Sequence, residues 1–373
     1  MRRTLQNSFW WTRTQRLQGL KKSLPIFVFT LLCASLLACT SESPESRDQD
    51  ASSIEDPSLK IALIMDKGGK DDKSFNAAAF RGAKRAVEEF NVQLKDVEAT
   101  DTTSIEPALR TFAERDYDLI ISVGFVQKGA VEKVSKEFPD SRFAIVDAEV
   151  KQDNVRSLMF SEHQGSFLAG ALAAMKAKEL KPKEKVKVGF VGGMEIPLIK
   201  RFELGYKAGV KHVAKNAEIK VHYVGVTPSA WNNPTRAKEL ATAQLEDGVR
   251  VIFHASGASG AGVFDAVSKM ENRFAIGVDS NQNDEKPGKI LTSMLKRVDV
   301  AVFETIKSLE EGNYESGVHY YDLSQNGVGL AMDEHNKELV SDSMVSRLEN
   351  LKQKIISGSI KVPDYYELNQ KDG

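Results

Sequence analysis

Lys60-Ile61-Ala62-Leu63-Ile64-Met65 runs straight into Asp66-Lys67-Gly68-Gly69-Lys70-Asp71-Asp72-Lys73-Ser74-Phe75-Asn76, and from there into Ala77-Ala78-Ala79-Phe80-Arg81-Gly82-Ala83-Lys84-Arg85-Ala86. The first segment is short, apolar and β-prone, which predicts a buried strand. The Ala and Phe spacing of the last predicts a helix. The join is therefore a strand–loop–helix corner, and ligands of open α/β sheets bind outside the carboxyl ends of strands. An Asp at the strand end, two glycines, an aromatic and an Asn supply an acceptor, close backbone approach, a stacking face and an amide. No reactive group stands out in the loop.

The same alternation continues outward from this corner. Strands are predicted over 92–98, 117–124, 142–147 and 155–160, with helices over 105–114 and 128–137 between them. Such a βαβα order implies a parallel sheet with helices on both faces. The pattern then restarts: a small-residue helix over 164–177, strands over 185–191, 219–226, 250–255 and 274–279, and helices over 199–214, 234–247 and 263–270. Two successive sets predict two α/β lobes of similar build. The remaining pieces, a strand and helix within 292–309, a β run over 319–323 and a helix over 341–357, are too few for a third domain. They are expected to complete both lobes. The expected division is 58–163 plus about 284–318 for an N-terminal lobe, and about 164–283 plus 319–373 for a C-terminal one. A cleft between two such lobes is a favoured ligand site, and hinge closure around the ligand is an established motion.

The start of the chain reads differently. Six Lys/Arg and no acid lie in residues 1–38, whereas the rest carries 45 basic against 52 acidic side chains, a net of −7. The apolar stretch from Leu24 to Ala38 falls short of the roughly 20 residues that a spanning helix needs, but it suits the core of a signal peptide. Leu36-Leu37-Ala38-Cys39 resembles a bacterial lipobox, which implies lipid on Cys39 as the first mature residue. Residues 39–57, rich in Ser, Asp, Glu and Pro, bury too little apolar surface to fold and form a tether. Cys33 and Cys39 are the only cysteines, so the body has no disulfide. Its acidic balance and lack of a basic patch speak against nucleic acid.

Several segments together resemble the basic membrane protein family. They are Asp71-Asp72-Lys73-Ser74-Phe75-Asn76, Gly124-Phe125, Phe143-Ala144-Ile145-Val146-Asp147 and Glu162-His163-Gln164-Gly165-Ser166-Phe167-Leu168-Ala169-Gly170. Further along come Gly189-Phe190-Val191-Gly192-Gly193-Met194-Glu195-Ile196-Pro197, Ile276-Gly277-Val278-Asp279 and Ser293-Met294-Leu295-Lys296-Arg297. The match runs in order from about Lys60 to about Val302. That family contains purine-nucleoside receptor lipoproteins, the substrate-binding components of ABC importers. The resemblance implies a type I periplasmic binding fold, an α/β architecture of two Rossmann-like lobes joined by hinge strands. It implies that Phe75 and Phe202 sandwich the base, that Asp66 and Asn76 bond near it, and that Asp147 lies in the cleft. Asp279 would take the ribose hydroxyls, with Lys296 close by and Gly257 facing the sugar. The implied partners are a nucleoside, ABC permease and ATPase subunits, and a membrane reached through the lipid anchor, facing the periplasm or the cell exterior. The implied protein is a monomer that binds no nucleic acid, needs no cofactor or metal, and is not an enzyme.

Physical chemistry favours the same groups. A purine presents two π faces, each stacking contact contributing about 1–3 kcal/mol, and a vicinal diol offers two donors to one carboxylate at about 1.5–3 kcal/mol per charged hydrogen bond. Plainer readings stand beside these: Phe75 and Phe202 as core aromatics, Asp66, Asp147, Asp279 and Asn76 as helix caps, and Lys296 as a surface cation. Gly257 to Gly262 matches no phosphate-loop spacing, the six histidines have no metal-ligand spacing, and Trp231 has no assigned role. Two other functions compete. Nucleoside hydrolases resemble DxDxGxDD near their start, but here Ile64 replaces the first Asp and Asp71-Asp72 stands one residue too far along. A sensor or surface lipoprotein of the same fold with another small ligand is the second.

Overall fold

The computed structural model describes residues 59–369; the expected signal segment, the lipidated Cys39 and the tether up to residue 57 lie outside the described residues. The first part of the chain alternates β1 (Leu59–Met65), α1 (Phe75–Glu89), β2 (Val92–Glu98), α2 (Ile105–Glu114), β3 (Leu119–Val123), α3 (Lys128–Glu137), β4 (Phe143–Val146) and β5 (Val155–Phe160). The second runs α4 (Glu162–Leu180), β6 (Lys187–Met194), α5 (Pro197–Val213), β7 (Glu218–Gly225), α6 (Pro234–Glu246), β8 (Val251–Ala255), α7 (Gly260–Ser268), β9 (Phe274–Asp279) and β10 (Ile290–Lys296). Then come α8 (Val298–Glu310), β11 (Gly317–Tyr321), β12 (Val328–Leu330), α9 (Asp342–Ile356) and α10 (Tyr365–Asn369).

Two six-stranded sheets result, ordered β2-β1-β3-β4-β5-β11 and β7-β6-β8-β9-β10-β12. Every pairing is parallel except that of β12 with β10. Ile61 to Met65 of β1 are fully buried, as a strand covered by helices on both faces must be. Each sheet reverses its winding once, between β1 and β3 and between β6 and β8. Side chains at those strand ends face a crevice. Among the described residues no helix is long and apolar enough to cross a membrane.

The chain passes between lobes near residues 161, 297 and 322, and this corrects the expected division. Strand β10, expected within the N-terminal lobe, is a central strand of the second sheet, paired with β9 and β12. Its residues are buried apart from Leu295, which suits an interior position better than an edge. Strand β11 closes the first sheet beside β5 through to Tyr321, past the expected change of lobe at 319. Between them α8 packs on α1, with Phe303 stacked on Phe90 at 5.4 Å.

One close approach matters for the site. Helices α4 and α5 cross at Gly170, Gly205 and Gly209, where an added Cβ would run into the backbone carbonyls of Tyr206, His163 and Phe167 respectively. Side-chain-free positions let the two backbones touch. The start of α4 is thereby held against the first turns of α5.

Candidate functional site

All eight residues singled out for the binding site line one cavity of about 580 Å³ between the lobes: Asp66, Phe75, Asn76, Asp147, Phe202, Gly257, Asp279 and Lys296. The sheets explain the convergence. Asp66 follows β1, Asp147 follows β4, Gly257 follows β8, Asp279 ends β9 and Lys296 ends β10, all at carboxyl ends. Phe75 and Asn76 open α1, and Phe202 lies in the second turn of α5.

At the β1 corner, Asp66 Oδ1 accepts from Asn76 Nδ2 at 2.7 Å and from the Gly68 amide at 3.0 Å. Burial pushes the Asp66 carboxyl up, with those two hydrogen bonds opposing. The cap of α1 is neither Asp66 nor Asn76. Asp72 accepts from the amides of Ser74, Asn76 and Ala77 at 2.8, 2.9 and 3.0 Å, satisfying the free donors of the first turn. Asn76 is thereby left to face the cleft, and its buried Oδ1 has no partner among the described residues.

Asp147 and Asp279 both sit in the left-handed backbone region, with φ of 70° and 63°. That conformation is uncommon for residues other than glycine, and such strain clusters at ligand sites. Lys296 Nζ lies 2.6 Å from Asp147 and 3.0 Å from Glu162 Oε1. Burial works against the ammonium, but Asp147, Glu162 and Asp279 outweigh it and hold its pKa above the ordinary lysine value. The reading of Lys296 as a surface cation fails, since the residue is 1% exposed. Its Nζ lies 5.1 Å from the centroids of Phe75 and Phe160 and 5.6 Å from that of Phe202, within cation–π range. Burial pushes Asp279 up to about 7, against the pull of Lys296 and a hydrogen bond from Ser74.

Two contributions had no counterpart in the sequence reading. Trp231 forms part of the cleft wall, its ring fitting where Gly193 has no side chain, and its buried Nε1 lacks a partner among the described residues. A set of polar contacts also bridges the lobes beside the cleft. Ser74 Oγ donates to Asp279 Oδ2 at 2.6 Å, Ser280 Oγ to the Ser74 carbonyl at 2.7 Å, and Gln282 Nε2 to the Lys73 carbonyl at 3.1 Å. Arg81 Nη2 reaches Ser280 Oγ at 2.9 Å, and Lys73 pairs with Glu285 at 2.9 Å. The loop that extends from Ser280 to Gly288 thus supplies half of this latch.

The sequence profile of the Bmp family, described as ABC transporter substrate-binding proteins of the PnrA-like kind, matches residues 59–365. The chain belongs to this family. A CD4+ T-cell-stimulating antigen of Listeria innocua is 35% identical over 376 residues, covering 92% of this chain and 99% of that protein. An uncharacterized lipoprotein of Pyrococcus abyssi is 30% identical, covering 83% and 76%. Among solved structures, a solute-binding protein of an ABC transporter system from Aeropyrum pernix K1 superposes with a TM-score of 0.77 at 31% identity, covering 84% of this chain and 97% of that one. The Bmp match spans both sheets and every cavity residue named above, and the two-lobe α/β build is that of type I periplasmic binding proteins. This Bmp protein is therefore an ABC transporter substrate-binding protein.

Proposed function

We propose that this Bmp protein is the lipid-anchored, extracytoplasmic receptor of an ABC importer, and that its interlobe cleft binds a nucleoside, with purines preferred. One observation carries the reading: Phe75 from the first lobe and Phe202 from the second border the same cavity as the buried carboxylate of Asp279. Two aromatic faces suit a flat heterocycle, and an acid suits the paired hydroxyls of its sugar. Asn76 Oδ1 and Trp231 Nε1, an acceptor and a donor without partners among the described residues, suit the edge of a base, since buried polar groups find partners.

Charge narrows the ligand further. Asp66, Asp72, Asp147 and Asp279 line the cavity with Lys296 as its only lysine or arginine among the described residues, and that ammonium is already paired. A phosphate would meet more repulsion than attraction there, so the ligand is a neutral nucleoside and not a nucleotide. Lipid on Cys39 would hold the receptor at the membrane surface beside permease and ATPase subunits, with binding and release as its whole activity. The relative from Pyrococcus abyssi carries the name lipoprotein, in keeping with such an anchor.

Titration calorimetry on the body beginning after Cys39 tests the reading with purine and pyrimidine nucleosides, free bases, pentoses, nucleotides and amino acids. Inosine, guanosine or adenosine is expected to bind, with bases and pentoses each far weaker. Tight binding of a sugar or an amino acid and none of any nucleoside would refute it.

A further inference from the structure

Behind the cleft wall, a buried chain of charges leads from Lys296 to the C-terminal segment. Glu162, whose Oε1 faces Lys296, accepts Arg201 Nη1 on its Oε2 at 2.5 Å. The same guanidinium nitrogen donates to the Phe160 carbonyl at 2.6 Å. Arg201 Nε and Nη2 then hold the two oxygens of Asp364 in a fork at 2.8 and 2.7 Å. His163 Nδ1 stands 3.3 Å from Arg201 Nη2, and the Tyr366 ring lies 4.6 Å from the guanidinium carbon. Glu162 is fully buried and Arg201 2% exposed. None of Glu162, Arg201 and Asp364 lines the cleft.

The placement of these residues ties them to the site. Arg201 directly precedes Phe202 on α5, and Glu162 opens α4, whose crossing with α5 is fixed by the glycine contacts. Burying such a chain is costly, and apolar residues of like volume could stabilise the fold as well. What the charges add is geometry. Glu162 draws the Lys296 ammonium to one side. Lys296 already rests on Asp147 at 2.6 Å; without Glu162, nothing would hold the ammonium from turning towards Asp279 and occupying the acceptor that the cleft offers.

We propose that Glu162 and Arg201, anchored by Asp364, are positioning residues of the cleft: they keep Lys296 off the Asp279 carboxylate and set the helical turn that presents Phe202. The C-terminal segment is thereby part of the binding machinery although it touches no ligand. Only the affinity arm of the test rests on the nucleoside reading.

The experiment compares the full body with its Glu162→Gln, Asp364→Asn and Asp364→Glu variants. Without ligand, lysine-labelled protein is expected to give a slowly exchanging ammonium signal for Lys296, assigned by its loss in Lys296→Met. That signal should shift in Glu162→Gln and Asp364→Asn and return towards the native position in Asp364→Glu. With inosine as probe, Glu162→Gln should weaken binding about tenfold, the worth of one charged hydrogen bond. It should also shrink the preference for inosine over 2′-deoxyinosine, which a loss of packing alone would leave intact. An unchanged ammonium signal in folded Glu162→Gln or, if that variant does not fold, in Asp364→Asn overturns the proposal. If native protein ignores inosine, the nucleoside reading falls, and the ammonium signal still decides the positioning role.

Discussion

Replacing Asp279 by Asn is the sharpest perturbation of the proposed sugar site, because it keeps the shape and removes the charge. Two hydroxyls donating to a carboxylate contribute about 1.5–3 kcal/mol each, against about 0.5–1.5 for neutral acceptors. The exchange should therefore cost about 1–3 kcal/mol, or about 5- to 150-fold in Kd. Calorimetry with inosine and 2′-deoxyinosine on native and Asp279→Asn protein forms a double-mutant cycle. The native protein should discriminate between the ligands, and the variant should do so much less. A Ser74→Ala control accounts for the interlobe hydrogen bond to Asp279 Oδ2. Stability separates this outcome from misfolding. Asp279 is raised to about 7 by burial, so what its protonated form contributes to stability is present at acid pH and lost as pH rises through about 7. At pH 8 the Asn variant escapes that penalty, and its ligand-free melting temperature should hold or rise. Fully additive losses, with the variant still favouring inosine as strongly as native protein, would refute the assignment of Asp279 to the sugar.

Affinity for inosine should fall as pH drops below about 7, by up to about tenfold per unit, since the ligand needs the carboxylate and the free site is then protonated; the dependence around pH 7 should be much reduced in Asp279→Asn, leaving the part due to Asp147, which burial pushes up to about 6, as calorimetry across pH 5.5–8 would show. Phe202→Ala and Phe75→Ala should each weaken purine binding by about 1–3 kcal/mol and reduce the advantage of purine over pyrimidine, measured with inosine against uridine. Gly209→Ala places a Cβ against the Phe167 carbonyl, so thermal melting should show a loss of about 1–3 kcal/mol from overpacking. Arg81→Ala cuts one strut of the interlobe latch; small-angle scattering of ligand-free protein should show a more open average shape, with little change once ligand is bound.

The fold was legible because its signals are local. Strand runs such as Leu59–Met65 and Phe274–Asp279 are short and apolar, and helices between them carry their own periodicity. The strand-end positions of Asp66, Asp147 and Asp279 were equally readable, and the architecture brings strand ends together. Partner choice was harder to read. Whether Ile290–Lys296 joins the first or second sheet depends on which edge of β9 is free, and nothing within those seven residues states it. Asp364 and Arg201 meet across 163 positions, with no periodic pattern to announce the pairing. Trp231 gave no hint of its place because its pocket is the missing side chain of Gly193, far away in sequence on β6. Capping by Asp72 was foreseeable in principle, since an Asp a few residues ahead of a helix often takes that role. The several acids in one loop obscured which of them would.

A crystal structure of the body with a bound purine nucleoside tests the central claim most directly. The account predicts the base between the Phe75 and Phe202 rings, its edge on Asn76 and Trp231, and both ribose hydroxyls on Asp279. Electron density for the base anywhere else, or a sugar turned away from Asp279, would contradict it.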